Sequence, residues 1–340
     1  MKKIVCFGEI MARLNPVGNL RLVQAENLEI SYAGGEANVA VSLANYGKKS
    51  VFVTKLPKND LAKSAVRKLR SYGVDVDQIT YGGERMGIYF VEKGASQRAS
   101  KVLYDRKYSS ISEAEKNDFD WENIFENAEW FHFTGITPAL SEKAADVCLE
   151  ACKVAKSKGV TISCDLNYRN KLWTSEEAGK VMGKLMEYVD VAIANEEDCE
   201  KVFGIKAAET DLTGGKLSKE GYEQVAKTLS SKFNIPTVAI TLRGSLSASD
   251  NKWAGMLYTN GKSYFSKEYL IHIVDRVGGG DSFGGGLIYA LSSCYEPQKA
   301  IEFAVSASCL KHTIEHDFNE VTVEEVEKLM SGDGSGRVQR

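Results

Sequence analysis

The feature that most constrains the fold is a regular alternation of short apolar runs with longer segments of helical periodicity. Strand-like runs cover residues 4–8, 51–56, 130–135, 160–166, 189–194 and 237–242, and helical patterns cover 37–46, 61–72, 142–158, 282–293, 297–313 and 323–330. At 37–46, for example, Val39, Leu43 and Tyr46 fall on one helical face. The alternation predicts an α/β fold with a mainly parallel central sheet and helices on both of its faces.

Two segments, 13–32 and 87–106, interrupt this rhythm because their apolar and polar residues alternate with little helical pattern. They predict short antiparallel strands that form a small β lid over the main sheet. Exposed strands in such a lid favour pairing with another subunit, which predicts a dimer or a higher homo-oligomer. We assign residues 1–330 to one domain and expect the tail at 331–340 to be disordered.

The composition excludes several classes of protein. The 340 residues are 43% hydrophobic and 26% charged, as in an ordinary globular protein, and a net charge of −3 argues against nucleic-acid binding. No apolar run reaches the ~18 residues of a membrane span, and the N-terminal apolar run is too short for a signal peptide. Seven cysteines without the spacing of a disulfide framework predict reduced thiols in the cytoplasm.

The segment DRVGGGD at 275–281 follows an apolar run and leads into a helix. Gly278, Gly279 and Gly280 let the backbone approach a ligand, and their amides form an anion-binding concavity at the helix N-terminus. Asp281 at its mouth suits phosphoryl transfer: the amides hold charge on the phosphate while the carboxylate takes the hydroxyl proton. The alternative is a glycine-rich loop with an N-capping aspartate.

A second glycine segment, AGGEANVA at 33–40, stands directly before a helix. Gly34 and Gly35 let the backbone approach a polyhydroxy substrate, and Asn38 offers a donor and an acceptor to hydroxyl groups. On its own, the segment equally suits a plain junction between a loop and a helix.

Polar residues also follow two of the predicted strands. DLNYR at 165–169 stands where ligand-binding residues of open α/β sheets gather. NEED at 195–198 either complements a helix dipole or organises Mg²⁺ through water beside ATP phosphates.

Other motifs argue against competing functions. The sequence has no Walker A loop and no G-x-G-x-x-G after its first strand, which argues against a dinucleotide-dependent dehydrogenase. HTIEH at 312–316 matches a metallopeptidase pattern, but little chain follows it for a third zinc ligand. Cys148 and Cys152 lie four apart on a predicted helix without a second ligand pair, which favours small core residues.

Taken together, these motifs resemble the ribokinase-like carbohydrate kinases, also called the phosphofructokinase-B type. Gly34-Gly35 with Asn38, and then DRVGGGD, match the two signatures of that family in order and spacing, and the resemblance covers residues 3 to about 330. The second signature usually reads D-T-x-G-A-G-D, so Arg276 replaces Thr and Gly279 replaces Ala. Asp198 stands where the family has Glu. The resemblance implies a three-layer α/β sandwich and ATP-dependent phosphorylation of a sugar.

Within the family, the chain is most similar to 2-keto-3-deoxygluconate kinases, which share DLNYR and the closing segments 311–313 and 317–319. This implies transfer to the 6-hydroxyl, with Asp281 as the general base. It implies substrate contacts from Gly34, Gly35, Asn38, Tyr89, Tyr104, Arg106, Arg169, Asp281 and Asp317. It implies ATP contacts from Asn167, Arg169, Asn195, Thr241, Arg243, Gly244, Gly278 and Gly280. It also implies Mg²⁺ held through water by Asn195 and Asp198, and a monovalent cation such as K⁺ near Asp275.

A physical argument from two arginines supports an acid sugar. Tyr104 and Arg106 lie two apart on a strand and share a face. If Arg106 and Arg169 both reach the pocket, they supply planar donors for a carboxylate, which a neutral sugar would leave unpaired. Two surface arginines are the alternative. A fructokinase, a ribokinase or a sugar-binding regulator without catalysis also remain open, although an intact Asp281 argues against the regulator.

Overall fold

The computed structural model describes residues 2–206 and 218–332 and confirms the predicted α/β architecture. The strands are β1 (Lys3–Phe7), β2 (Met11–Asn15), β3 (Glu29–Ala33), β4 (Lys49–Val53), β5 (Lys55–Leu56), β6 (Thr80–Tyr81), β7 (Ile88–Glu92), β8 (Lys101–Asp105), β9 (Ala128–Thr134), β10 (Thr161–Asp165), β11 (Val191–Asn195), β12 (Thr237–Ser245), β13 (Asp250–Thr259), β14 (Lys262–Phe265) and β15 (Tyr269–His272). The helices are α1 (Gly35–Asn45), α2 (Asp60–Ser71), α3 (Trp121–Ile124), α4 (Ile136–Ala139), α5 (Glu142–Ser157), α6 (Ser175–Met186), α7 (Glu196–Phe203), α8 (Lys219–Phe233), α9 (Gly279–Ser292), α10 (Pro297–Lys311) and α11 (Val323–Met330). Most of the tail that was expected to be disordered, 333–340, lies outside the described residues.

The large sheet is parallel over six strands and has an antiparallel edge. Its order is β14-β13-β12-β11-β10-β9-β1-β4, and β15 also pairs with β13. The pairs from β4 to β12 are parallel, whereas β13 runs antiparallel to β12, β14 and β15. The three antiparallel strands β13, β14 and β15 were not predicted from the sequence.

Two hydrophobic cores, one on each face of the sheet, make the three-layer sandwich. Because side chains alternate along a strand, Val5 and Phe7 of β1 join one core, and Ile4 and Cys6 join the other. Helices α3 and α5–α8 pack on the first face, and α1, α2 and α9–α11 pack on the second. Cys148 and Cys152 are fully buried in the first core, as their predicted structural role requires. No helix among the described residues combines the length and apolar composition that crossing a bilayer demands.

A separate four-stranded sheet has the order β3-β2-β7-β8 and largely coincides with the two segments that interrupt the α/β rhythm. The expectation of purely antiparallel strands is wrong for one pair, because β2 and β7 run parallel. These strands are joined by a long crossover that contains α1, β4 and α2, so β7 can return in the same direction as β2. Met11, Ala33, Tyr89 and Val91 form a small buried cluster on one face of this sheet.

Candidate active site

A cleft of about 580 Å³ lies between the carboxyl ends of the parallel strands and the small sheet. Residues at the ends of β1, β10 and β11 line one side, and Tyr89 and Tyr104 of the small sheet line another. All of the predicted site residues line this cleft except Gly244, Asp275 and Gly279. Segments that are far apart in sequence therefore meet at the edge where open α/β sheets bind ligands.

The glycine turn forms the first turn of α9, which begins three residues earlier than predicted. Gly278 caps the helix with φ +83°, and a Cβ there would overlap the carbonyl oxygen of Asp317, so the position requires glycine. Gly279 packs against the ring of His312, and its amide donates to the carbonyl oxygen of Arg276. Gly280 is exposed in the cleft, and the remaining first-turn amides have no acceptor within the helix. This terminus has the geometry of an anion site.

Asp281 lies at the mouth of that turn, and its carboxylate is held in one orientation. Asn38 Nδ2 donates to Asp281 Oδ2 at 2.6 Å, and Asn38 Oδ1 accepts from the Gly34 amide at 3.3 Å. Burial raises the pKa of Asp281 to about 6, although the Asn38 hydrogen bond opposes the shift. A Cβ on Gly35 would lie 3.5 Å from Asp281 Oδ1, so the glycine keeps that oxygen accessible. Asp281 thus has a free oxygen and a pKa suited to accepting a proton near neutrality.

Glu36 fixes the start of α1 beside Asp281 and was not predicted as a site residue. Its Oε1 accepts hydrogen bonds from the Thr134 amide at 2.9 Å, Thr134 Oγ1 at 2.8 Å and Thr137 Oγ1 at 2.7 Å. Burial raises the pKa of Glu36 to about 7. A Cβ on Gly8 would overlap this carboxyl group, so the glycine that follows β1 makes room for Glu36.

A buried ionic network ties the small sheet to the glycine turn. Arg13 is fully buried, and its guanidinium bonds Asp275 Oδ2 at 2.6 Å and Asp317 Oδ1 at 2.5 Å. Tyr89 donates its hydroxyl to Asp317 Oδ2 at 2.8 Å. Lys311, also fully buried, donates to the carbonyl oxygen of Asp275 at 3.2 Å. The sequence offered no signal for Arg13, because its two partners lie more than 260 residues away.

This network limits what Asp275 and Asp317 can bind. Asp275 uses Oδ2 for Arg13 and Oδ1 for the Val277 amide, so its carboxylate is already paired. The monovalent-cation role of Asp275 stays a prediction that this pairing disfavours. Asp317 lines the cleft with both carboxylate oxygens engaged, which leaves their second lone pairs for a substrate hydroxyl.

Arg106 reaches the cleft, but it already has a carboxylate partner. Its Nε donates to Glu9 Oε2 at 2.8 Å, Nη2 bonds the same oxygen, and Ser109 Oγ donates to Glu9 Oε1 at 2.8 Å. The argument that a neutral sugar would leave Arg106 unpaired is therefore wrong, because Glu9 balances its charge. The guanidinium also stacks on Tyr104, 5.1 Å from the ring centroid. Glu9 follows β1 and lines the cleft, yet nothing in its sequence context marked it as a partner.

Arg169 is exposed in the cleft and differs from Arg106 in its partners. Its Nη1 donates to the carbonyl oxygen of Tyr168 at 2.9 Å, and it forms no ion pair within the described part of the chain. Its positive charge acts on Asp165, Asp198 and Asp281 by lowering the pKa of each, although burial outweighs this effect. Arg169 is thus the arginine of the predicted pair whose charge is available to a ligand.

Asp198 and Asn195 form a capping box at the start of α7. Asn195 Oδ1 accepts from the Asp198 amide at 2.8 Å, and Asp198 Oδ1 accepts from the Tyr168 amide at 2.9 Å. Burial raises the pKa of Asp198 to about 6, and burial with the nearby Asp198 and Asp281 raises the pKa of Asp165 well above its usual value. The capping box gives Asp198 a structural role at this helix N-terminus, and its water-mediated Mg²⁺ role stays a prediction. Buried carboxylates that repel one another fit a nearby divalent cation.

Two residues of the HTIEH pattern, His312 and Glu315, have other partners. His312 Nδ1 lies 2.6 Å from the Ser308 carbonyl oxygen, and burial lowers the pKa of His312 to about 4. Glu315 pairs with Lys93 at 2.6 Å. Within residues 2–206 and 218–332, no group of three or more His, Cys, Asp or Glu side chains is arranged to hold a metal directly.

Comparison with known proteins places this cleft in a family. The profile of the pfkB family carbohydrate kinases matches residues 1–315. The chain belongs to this family. It is 32% identical to a 2-dehydro-3-deoxygalactonokinase from Haloferax volcanii, over 98% of both chains. The crystal structure of 2-dehydro-3-deoxygluconokinase from Thermotoga maritima superposes with a TM-score of 0.95 and 54% identity, over 98% of this chain and 100% of that one.

A more distant solved structure shares the fold alone. This is a putative ribokinase II from E. coli in complex with ATP and Mg²⁺, with a TM-score of 0.79 and 18% identity over 97% of this chain and 99% of that one. That structure binds ATP and Mg²⁺ in the fold that this chain shares. The chain is therefore a sugar kinase, a phosphotransferase with an alcohol group as acceptor, similar to kinases of 2-dehydro-3-deoxy sugar acids.

Proposed function

We propose that this kinase transfers the γ-phosphoryl group of ATP to the 6-hydroxyl of 2-keto-3-deoxygluconate, which is also called 2-dehydro-3-deoxygluconate. The observation that carries the proposal is the placement of Asp281 in the first turn of α9, where Asn38 Nδ2 donates to its carboxylate at 2.6 Å. The 54% identity with the Thermotoga maritima enzyme supports the choice of sugar.

In the proposed mechanism, Asp281 is the general base. Its Oδ1 takes the proton of the sugar hydroxyl while the hydroxyl oxygen bonds to the γ-phosphorus. The bond between the γ-phosphorus and ADP breaks, and ADP leaves with the electron pair. The amides at the start of α9 stabilise charge on the transferred group, and they cost no reorganisation because the helix already orients them. Asn38 keeps the carboxylate from rotating, and Glu36 holds the start of α1, which carries Asn38.

Mg²⁺ would supply charge neutralisation beside the phosphates. We place it near Asn195 and Asp198, with water between, because Asp165 and Asp198 bring buried negative charge to that wall. The small sheet acts as a lid that keeps water from competing as the acceptor. Its tie to the glycine turn through Arg13 supports this role.

Arg169 and the remaining N–H groups of Arg106 bind the substrate carboxylate in this proposal. Both residues line the cleft, and Arg169 carries a charge that no carboxylate pairs within the described residues. A second candidate is the galactonate epimer, which the relationship to the Haloferax volcanii enzyme favours. The two sugar acids share the carboxylate and the terminal hydroxyl, so both satisfy the contacts named above.

The test is a coupled assay of ADP release with both sugar acids, fructose and ribose. We expect the highest kcat/KM with 2-keto-3-deoxygluconate. A higher kcat/KM with fructose or ribose would overturn the acid-sugar assignment. A higher value with the galactonate epimer would replace the first candidate with the second.

We also propose that two copies of the chain associate through the outer face of the small sheet. The strand register places Ile30, Leu14, Phe90 and Leu103 side by side across its four strands. Ile30 is 53% exposed and Leu103 is 54% exposed, so a second copy would cover a continuous apolar row. Sedimentation should give a dimer that Leu103→Lys weakens and that Leu270→Lys, at an exposed site on β15, leaves intact. A monomeric native chain would contradict this.

Location in the cytoplasm stays a prediction, to which the seven free cysteines conform.

A further inference from the structure

Two arginines lie in the cleft wall without a carboxylate partner. Arg243 belongs to β12, and Arg276 belongs to the turn that precedes Gly278. Neither forms an ion pair among the described residues, and Arg276 Nη2 donates to the Ala248 carbonyl oxygen at 3.2 Å. The neighbouring Asp275 cannot balance Arg276 fully, because its carboxylate is bound to Arg13. Burial and the charge of Arg243 both lower the pKa of Arg276, so the two guanidiniums repel each other.

The same wall carries polar atoms that lack hydrogen-bond partners. Arg243 pairs with Trp253 in the register of β12 and β13, so the two side chains share a face, and Asn251 lies two residues along the same face. Trp253 Nε1 and Asn251 Oδ1 have no partner within the described part of the chain, although these residues are only 5% and 1% exposed. Both line the cleft. Unsatisfied buried groups are rare in native proteins, and these two belong to residues that line a cleft open to a ligand.

The arrangement of these cations identifies the charge pattern of that ligand. Arg276 lies two residues before Gly278, so its guanidinium and the anion site of α9 belong to one turn. Arg243 adds a second positive charge on β12, opposite Trp253 of the antiparallel strand β13. A ligand with several negative charges in a row suits this wall, because guanidiniums bind phosphate oxygens in pairs.

We propose that Arg276 and Arg243 form a two-arginine clamp on the phosphate chain of the nucleotide, behind the phosphoryl group that is transferred. The inference rests on the proposed ATP-dependent function and adds Arg276 to the residues that bind ATP. Arg243 was already expected to contact ATP, whereas Arg276 stands where the family signature has Thr, so its part in the clamp is not implied by the signature. Because the α-phosphate keeps its charge throughout the reaction, a clamp centred on it holds the ground state and the transition state alike.

Kinetic measurements can separate the proposed role of Arg276 in binding ATP from the role of Asp281 as the base. Loss of uniform binding raises KM and leaves kcat nearly unchanged, whereas loss of the base lowers kcat. The variant Arg276→Thr restores the residue of the signature, and Arg276→Lys keeps the charge but not the paired donors. Arg67→Thr is the matched control, because Arg67 is exposed on α2 and does not line the cleft.

The experiment uses the full chain and two measurements. Calorimetry without sugar measures the affinity for inorganic tripolyphosphate, and steady-state kinetics measures KM for ATP and for the sugar acid. For Arg276→Thr, we expect about 10- to 100-fold weaker tripolyphosphate binding and a similar rise in KM for ATP, which is the usual effect of losing a charge-assisted hydrogen bond. KM for the sugar acid and kcat should change less than about threefold. The tripolyphosphate affinity of Arg276→Lys should fall between that of the native chain and that of Arg276→Thr.

Salt dependence distinguishes a phosphate contact from a structural role. Because Arg276→Thr removes one cation from the site, its affinity for tripolyphosphate should be less sensitive to salt than that of the native chain. The control Arg67→Thr should keep the native salt dependence. Unchanged tripolyphosphate affinity in Arg276→Thr, or a salt dependence equal to that of the native chain, would overturn the clamp. If the native chain phosphorylates no sugar acid but binds tripolyphosphate through Arg276, the proposed function fails and the clamp stands.

Discussion

Replacing Asp281 with asparagine removes the proposed base while preserving the shape of the side chain. In the native chain Asn38 Nδ2 donates to Oδ2 at 2.6 Å, which leaves Oδ1 as the oxygen that can accept a proton. In Asp281→Asn, the Asn38 donor requires the amide oxygen at the Oδ2 position, so the new NH₂ group takes the Oδ1 position. That group cannot accept a proton. A positioned base contributes roughly 10²–10⁴-fold, so kcat should fall by that factor, which is a barrier increase of about 3–5 kcal/mol.

The same substitution should not weaken the fold, and this separates lost catalysis from misfolding. Burial raises the pKa of Asp281 from 3.8 to about 6, so ionising it costs more in the folded chain than in the unfolded chain. The cost is absent below the unfolded pKa, grows as pH rises from 3.8 to about 6, and is fully present above that. Asp281→Asn should therefore unfold at the same or a higher temperature than the native chain at pH 8, with a smaller difference at pH 5.

The assay combines coupled ADP release at saturating sugar acid and ATP with calorimetric measurement of ATP binding. We expect a lower kcat, nearly unchanged ATP affinity and an undiminished melting temperature at pH 8. Turnover within about threefold of the native chain would refute the role of Asp281. A loss of kcat accompanied by an equal loss of ATP affinity would refute the division of labour between Asp281 and the phosphate-binding wall.

Three further outcomes follow from the contacts of the cleft. The rate should fall on the acid side as Asp281 is protonated near pH 6, and a pH–rate profile for kcat/KM tests this against a flat profile. Gly278→Ala should lower the free energy of unfolding by more than the about 1–3 kcal/mol that backbone strain costs, because its Cβ would also overlap the Asp317 carbonyl oxygen; in the same chemical denaturation Gly47→Ala, at φ +79° with open space around it, should show the cost of strain without overlap. Arg106→Met should cost about 3–5 kcal/mol of stability by leaving Glu9 buried and unpaired, and adding Glu9→Gln should restore most of that stability without restoring KM for the sugar acid.

Local patterns predicted the elements and the ends of strands that form the site. Short continuous apolar runs identified the six parallel strands, because each strand is buried on both faces by a layer of helices. The antiparallel strands at 250–272 escaped notice because their residues alternate less regularly, and their burial comes from α10 and the adjoining strands. Similarly, α1 and α9 each begin within a glycine pair or triplet, where helix propensity alone predicts a loop.

Partners across long sequence separations were beyond the reach of pattern reasoning. Arg106 was identified as a cleft residue, but its pairing with Glu9 depends on how the small sheet sits over the end of β1. A carboxylate after a strand looks the same in sequence whether it binds substrate or an arginine from another sheet. The net charge of the cleft wall around Arg106 could therefore be determined only from the folded structure.

Asp275 illustrates how a signature can locate a turn without determining what its first residue binds. The motif placed Asp275 correctly before the glycines, yet the topology delivers the guanidinium of Arg13 and the ammonium of Lys311 to this residue. Two buried cations thus meet Asp275 and Asp317, and the four charges balance within the protein. An added cation there would have to compete with side chains that are already desolvated and held in place. The glycine turn is consequently anchored from behind by fixed charges of the chain itself, while its open side keeps the positive amides and Arg276 for an anion.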